Sequence, residues 1–214
     1  MIRIYAINSA AMLRSEQRFV NALQAALDGG IDWFQLRDKR PDAGARRTLA
    51  EQALARCAAA GVPLLINDDV ALARSIGAQG VHVGQSDVTV AEARSKLGPQ
   101  ALIGCSCHDQ YELAASAVEA GASYVAFGRL FASRTKPDAP AADLDYVRQH
   151  IARLTVPACV IGGITPDNAD QAVATGAQLL AAVDSLFGAA DIYQAVRQLR
   201  RAIDHCHASS TRVS

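Results

Sequence analysis

The feature that most constrains the fold is an alternation, sustained along the whole chain, of short apolar runs with longer amphipathic segments. The apolar runs read as strands over 2–7, 32–37, 63–67, 80–84, 101–106, 124–130, 157–162 and 179–184. The segments between and after them carry helical periodicity over roughly 16–28, 43–60, 69–76, 88–97, 109–120, 142–153, 166–174 and 191–206. Several of these helices run into glycine turns, as in Asp28-Gly29-Gly30, Ala60-Gly61, Ile76-Gly77 and Ala120-Gly121. Glycine there supplies the left-handed residue that closes a helix before the next strand. Related turns recur as Ala-Gly-Val at 60–62, Ala-Gly-Ala at 120–122 and Thr-Gly-Ala at 175–177. No linker or compositional break divides the chain. Eight βα units in one compact chain close most naturally as a single α/β domain, a (β/α)8 TIM barrel over residues 1–207, with 208–214 as a C-terminal tail.

Composition agrees with that reading. A chain of 214 residues suits one such barrel, and a 50% apolar content with only 5% aromatics suits close packing of helices on a parallel sheet. Lys plus Arg is 21 and Asp plus Glu is 21, so nothing in the charge balance asks for nucleic acid or an anionic membrane surface. The five cysteines are odd in number and irregularly spaced, which argues against a disulfide framework. Cys105 and Cys107 form a C-x-C, but no second Cys/His pair follows at zinc-finger spacing. The first residues enter a strand directly, without a signal peptide's apolar region, and no run reaches membrane-spanning length. The expectation is a soluble protein of a reducing cytoplasm, acting on small molecules. A homo-oligomer is left open.

In a barrel of this kind the ligand site lies at the carboxyl ends of the strands. The polar residues of this chain bunch there. Trp33-Phe-Gln-Leu-Arg-Asp-Lys39 begins as a buried strand and ends as an array of polar groups. Strand alternation puts Gln35, Arg37 and Lys39 on one side and Phe34, Leu36 and Asp38 on the other. Two cations and an amide at one strand end suit a polyanion such as a diphosphate. The third and fourth strands run straight into Asn67-Asp68 and Gly84-Gln85-Ser86-Asp87. Asp68 and Asp87 come from adjacent units, and two carboxylates can hold one Mg²⁺ that also binds phosphate oxygens. Either could instead cap the following helix, although Asp69 is better placed than Asp68 for that.

Ser106 and His108 follow the fifth strand, and His108 is the acid–base candidate, as an imidazole beside a strand end. His82 lies within a strand and reads as structural, whereas His150, His205 and His207 read as helix-surface residues. A loop of roughly ten residues after the sixth strand carries Ser133, Thr135 and Lys136, whose hydroxyls and amine suit a departing diphosphate. Gly162 and Gly163 end the seventh strand, and Val183-Asp184-Ser185 ends the eighth. Loops at these two positions often bind phosphate through backbone N–H groups, and a glycine pair lets a phosphate approach closely.

With these residues in view the chain resembles the thiamine phosphate synthase family, over nearly its whole length. The matching stretches are Gln35-Leu-Arg-Asp-Lys39, Leu65-Ile-Asn-Asp68, Gly80-Val-His-Val-Gly-Gln-Ser-Asp87, Ile103-Gly-Cys-Ser106 with His108, Thr135-Lys136 and Ile161-Gly-Gly-Ile164. The resemblance implies a transferase that joins a hydroxymethylpyrimidine diphosphate to a thiazole phosphate. It would place Gln35, Arg37, Lys39 and Asn67 on the pyrimidine diphosphate, and Mg²⁺ on Asp68 and Asp87. Ser106, Ser133, Thr135 and Lys136 would meet the pyrimidine or the diphosphate. Gly163 and the turn of Val183 and Asp184 would take the thiazole phosphate. Arg37, Lys39, Ser106 and Lys136 form the implied catalytic set. The family's dissociative route needs no enzyme nucleophile, in keeping with the lack of a Ser-His-Asp or Cys-His set.

Four positions depart from the family's usual pattern. Arg129 stands where Pro is common, Ala132-Ser133 where Pro-Thr is common, Cys107 where Thr is common, and Asp184 where Ser is common in the phosphate turn. An Asp beside a phosphate repels it unless its carboxylate turns away. Two other readings compete: the sister thiazole tautomerase, an isomerase on the same fold, and a non-catalytic barrel that binds thiamine precursors. The first would have little use for the full Arg37, Lys39, Asn67, Asp68 and Asp87 set.

Overall fold

The computed structural model describes residues 1–132 and 142–210. Its eight strands are β1 (Arg3–Ile7), β2 (Trp33–Leu36), β3 (Leu64–Asn67), β4 (Gly80–Val83), β5 (Leu102–Ser106), β6 (Tyr124–Gly128), β7 (Ala158–Ile161) and β8 (Leu179–Ala182). Each pairs in parallel with its sequence neighbours, and β8 returns to β1, so the sheet closes into a barrel. The helices are α1 (Glu16–Gly29), α2 (Ala43–Ala59), α3 (Val70–Ile76), α4 (Val90–Leu97), α5 (Tyr111–Glu119), α6 (Leu144–Ile151), α7 (Ala169–Ala174), α8 (Asp184–Phe187) and α9 (Ile192–Ser210). This is the expected (β/α)8 barrel. Two short elements were not foreseen: a 3-10 turn at Ala10–Arg14 and the single turn of α8. Both are too brief to leave a periodic signal in sequence. Helix α9 continues to Ser210, past the boundary expected at 207.

The glycine turns behave as their sequence implies. Gly30 and Gly77 hold left-handed conformations, and their N–H groups return to the last carbonyls of α1 and α3. Strand alternation then divides the core in two. Ile4, Ala6, Phe34, Leu36, Leu64, Ile66, Val81, Val83 and their like point outward and pack under the helices. Tyr5, Ile7, Leu65, Tyr124, Ala126, Cys159, Leu179 and Ala181 fill the barrel interior, with Trp33 and Ile161 against them. Three rings meet edge to face there. Their centroids are 5.6 Å apart for Tyr5 and Trp33, 5.2 Å for Trp33 and Tyr124, and 5.9 Å for Tyr5 and Tyr124. Gly104 makes the room: a Cβ on it would lie 2.0 Å from Tyr124 Cζ.

None of the five cysteines is in a disulfide, and Cys57, Cys105, Cys107 and Cys159 are buried as small apolar residues. Among the described residues no helix is long and apolar enough to cross a membrane.

Candidate active site

Chain direction is common to all eight strands, so their carboxyl ends gather at one mouth. At the end of β2 the chain is held by Asn8, the first residue after β1. Asn8 Oδ1 accepts the Arg37 N–H at 2.6 Å, and Asn8 Nδ2 donates to the Arg37 carbonyl at 3.1 Å. The amide thus replaces a missing strand partner and fixes where Arg37 leaves the sheet. Asn8 is only 4% exposed, a buried polar group whose hydrogen bonds explain it. Sequence reading passed over it, because a lone Asn after a strand reads as a turn residue.

Alternation holds through β2. Phe34 and Leu36 face the helices, while Gln35 is buried inside the barrel. Arg37 is exposed at the mouth and makes no ion pair among the described residues. Asp38 turns away and is gripped by Arg40, whose Nε and Nη2 donate to both carboxylate oxygens. Burial opposes the Asp38 charge, but the hydrogen bonds and charge of Arg40 outweigh it and hold the carboxyl below its usual range. That pairing consumes Arg40.

Lys39 forms an ion pair with Asp68 at the end of β3. Asp68 occupies a left-handed conformation, with φ of 62°, and its N–H donates to the His82 carbonyl at 2.8 Å. It caps no helix. Asp69 does, accepting the Leu72 N–H at 2.9 Å, as its position led one to expect. Asp87 is also no cap: Thr89 and Glu92 form a reciprocal capping box at the start of α4. Instead Asp87 Oδ2 accepts the Gly84 N–H at 2.9 Å, and a Cβ on Gly84 would sit 2.9 Å from that same oxygen. Burial raises the Asp68 pKa, and the nearby Asp87 carboxyl raises it further against the pull of Lys39. Two neighbouring carboxyls, neither used as a cap, suit a divalent cation. The side chain of Asn67, the last residue of β3, makes no hydrogen bond among the described residues.

The opposite side of the mouth, at the ends of β5 to β8, opens on a cavity of about 530 Å³. Its wall includes Ser106, His108, Arg129, Gly163, Val183 and Asp184. The glycine pair also has a packing use. A Cβ on Gly162 would lie 2.3 Å from Arg129 Cβ, and one on Gly163 would lie 2.2 Å from the Ala132 carbonyl oxygen. Both glycines sit in positive φ and make room for the chain leaving β6. Val183 precedes α8, and Asp184 and Ser185 open its single turn, so their N–H groups have no acceptor within the helix. His108 is exposed, with φ of 53°, and caps no helix. Ser133, Thr135 and Lys136 lie outside the described residues.

Two expected site residues, Gln35 and Ser106, are joined through three side chains not assigned to the site from sequence. Gln35 Nε2 donates to Tyr5 Oη at 2.6 Å, and Tyr5 Oη lies 2.8 Å from Tyr124 Oη. Tyr124 Oη lies 2.8 Å from His82 Nδ1, and His82 Nε2 lies 2.9 Å from Ser106 Oγ. Gln85 completes the surround by donating to the Ser106 carbonyl at 2.6 Å. The sequence signal for this row was its position: Tyr5, Gln35, His82, Ser106 and Tyr124 all fall in strands, on inward-facing registers.

A family model described as thiamine monophosphate synthase matches residues 4–186. The chain is similar to the curated thiamine-phosphate synthase of Saccharophagus degradans. The two are 44% identical over 184 residues, which is 86% of this chain and 85% of that protein. Its structure is similar to that of thiamine phosphate pyrophosphorylase from Pyrococcus furiosus, with a TM-score of 0.86, 26% identity and 96% of each chain covered. A 3-hexulose-6-phosphate synthase shares the fold alone, at 19% identity and a TM-score of 0.74, over 94% of this chain and 100% of that one. The chain belongs to the thiamine monophosphate synthase family, a family of transferases in thiamine biosynthesis.

Proposed function

We propose that this barrel couples hydroxymethylpyrimidine diphosphate to a thiazole phosphate, giving thiamine phosphate and diphosphate. The carrying observation is the division of the mouth. Arg37, which makes no ion pair among the described residues, Lys39 paired with Asp68, and the neighbouring Asp87 that helps to raise the Asp68 pKa stand at the ends of β2 to β4, and a cavity of about 530 Å³ opens at the ends of β5 to β8. One side suits a diphosphate and the other a second, ring-bearing substrate.

In the reaction the bond between the pyrimidine methylene carbon and the diphosphate oxygen breaks, and the electron pair leaves with diphosphate. The aminopyrimidine ring delocalises the resulting positive charge until the thiazole nitrogen donates its lone pair to that carbon. Arg37 and Lys39 stabilise the charge growing on the leaving group, a role in which preorganised donors are most effective. Lys39 exchanges Asp68 for the diphosphate by rotation of its flexible stem. Ser133, Thr135 and Lys136 are assigned to the same anion from the family resemblance. Gln35, Asn67 and Ser106 orient the pyrimidine. Backbone N–H groups at Gly163, Val183 and Asp184 are assigned to the thiazole phosphate. Mg²⁺, held by Asp68 and Asp87, would supply further neutralisation of the diphosphate oxygens.

Purified protein mixed with both substrates and Mg²⁺ should form thiamine phosphate. Asp68→Ala and Asp87→Ala should each lower kcat more than they raise KM, because the charge they help to neutralise is largest in the transition state. Isomerisation of a thiazole phosphate without coupling would identify a tautomerase. Binding of the substrates without turnover would identify a non-catalytic barrel. Near-normal kcat in both variants at limiting Mg²⁺ would remove the metal assignment.

A further inference from the structure

We propose that His82 is a positioning residue. A buried row of hydrogen bonds holds its imidazole with the proton on Nε2, so that it donates to Ser106 Oγ and turns the Ser106 hydroxyl proton toward the mouth. The assignment follows from counting hydrogens. A carboxamide nitrogen can only donate, so Tyr5 Oη accepts from Gln35 Nε2. The single hydrogen of Tyr5 is then directed to Tyr124 Oη, its remaining partner among the described residues. Tyr124, having accepted from Tyr5, spends its own hydrogen on His82 Nδ1. An Nδ1 that accepts carries no proton, so the ring proton is on Nε2 and is donated to Ser106 Oγ.

Three features make this direction stiff. Tyr5 and Tyr124 are 1% and 0% exposed, so neither hydroxyl can reorient against water. Burial pushes the pKa of both phenols up, which keeps them neutral and leaves each with one hydrogen to place. A doubly protonated His82 would leave Tyr124 accepting from two sides with its own hydrogen unplaced in an apolar core, an arrangement that buried hydroxyls avoid. Gly104 takes part indirectly, since any side chain there would occupy the space of the Tyr124 ring.

The consequence is chemical. Ser106 lines the cavity, and its Oγ has no other partner among the described residues. Its hydrogen is therefore free to be donated to the substrate, matched to a ring nitrogen or a phosphate oxygen, while one lone pair remains as acceptor. This last step rests on the proposed synthase reaction. The tautomer of His82 does not. Were the Gln35 amide to face Tyr5 with its oxygen, every bond in the row would reverse. His82 would then carry its proton on Nδ1 and draw the Ser106 hydrogen inward.

The two directions are separated by long-range ¹H–¹⁵N correlation spectra of ligand-free protein labelled at histidine, with the His82 signals assigned by their loss in His82→Gln. The expected result is a pyrrole-type Nε2 and a pyridine-type Nδ1. The opposite pattern overturns the proposal, whatever the activity. Tyr124→Phe removes the donor to Nδ1 with little change of shape. It should bring the two His82 nitrogens toward averaged shifts and lower kcat about tenfold, the size of one lost hydrogen bond, with KM for pyrimidine diphosphate within about twofold. Unchanged shifts in that variant would show that Tyr124 does not set the tautomer, which also overturns the proposal. If Tyr124→Phe does not fold, Tyr5→Phe applies the same test one link earlier. The expected spectrum in a protein that makes no thiamine phosphate would leave the row intact and remove only the synthase reading.

Discussion

At the scale of single residues, the mouth is populated by groups that stability alone would not choose. Asp68 combines a left-handed backbone, a raised pKa and a neighbouring carboxyl. A carboxyl whose folded pKa lies above its unfolded value binds more protons when folded. Stability is therefore lost as pH rises through that window, and the cost is complete above it. Asn has no charge to bury and tolerates positive φ at least as well. Asp68→Asn should accordingly raise the Tm of the metal-free protein at neutral pH by about 1–3 °C. The gain should shrink as the pH falls below the ordinary carboxylate range, where Asp68 is neutral in both states. Thermal melts at several pH values check this. An Asp68→Asn protein less stable than the parent at neutral pH would show that the Lys39 ion pair outweighs burial. Asp38 illustrates the opposite case, a carboxyl held ionised by Arg40 and stabilising at neutral pH.

At the scale of elements, α8 stands at the proposed thiazole-phosphate end of the mouth. Its one turn presents N–H groups at Asp184 and Ser185, and the carboxylate of Asp184 stands in that same first turn. A negative charge there complements the helix N-terminus, as a phosphate would. In the proposed binding mode the two compete for one small positive site. Asp184→Ser should therefore lower the KM for thiazole phosphate modestly and leave that for pyrimidine diphosphate unchanged, since the latter is assigned to the ends of β2 to β4. Titration of each substrate against the variant checks it. A large loss of thiazole-phosphate affinity would mean that the Asp184 side chain makes a needed contact and that this barrel prefers a different second substrate. The end of β7 gives a related lesson. Gly162 and Gly163 are needed because the chain leaving β6 packs onto them, so they shape the wall of the cavity before they touch any ligand.

At the scale of the whole molecule, closure is secured at the end of the barrel away from the mouth. Arg200 of α9 donates to the Ile2 carbonyl at 2.8 Å and forms an ion pair with Asp32, whose Oδ2 also accepts the Ile4 N–H at 2.6 Å. One guanidinium thus ties the last helix to the entrances of β1 and β2, beside the seam where β1 meets β8. Arg200→Met removes the tie and leaves a half-buried carboxylate without its cation. The cost should be about 2–3 kcal/mol, or roughly 5–10 °C in Tm at this chain length. Activity measured well below the transition should be unchanged, because the tie lies at the opposite end from the site. A parental Tm would show that helix packing alone closes the barrel.

The eight βα units and their order were legible in the sequence because hydrophobic period and glycine punctuation are local properties, set by backbone sterics and by which face is buried. The clustering of Arg37, Lys39, Asn67, Asp68 and Asp87 was legible for a related reason: in a parallel barrel, position at a strand end is already position at the mouth. What sequence could not decide was which polar groups satisfy one another, since that depends on distances between strands far apart in the chain. Asn8 holding Arg37, Arg40 holding Asp38, Thr89 rather than Asp87 capping α4, and the chain after β6 packing onto Gly162 and Gly163 are all decided by packing. The clearest case is His82. Read alone it is a structural histidine in a strand, and only the closed barrel brings Tyr124 to one of its nitrogens and Ser106 to the other. The pattern of a sequence states which side chains face inward. Closing the sheet fixes who meets whom there, and with that the direction in which each buried hydrogen points.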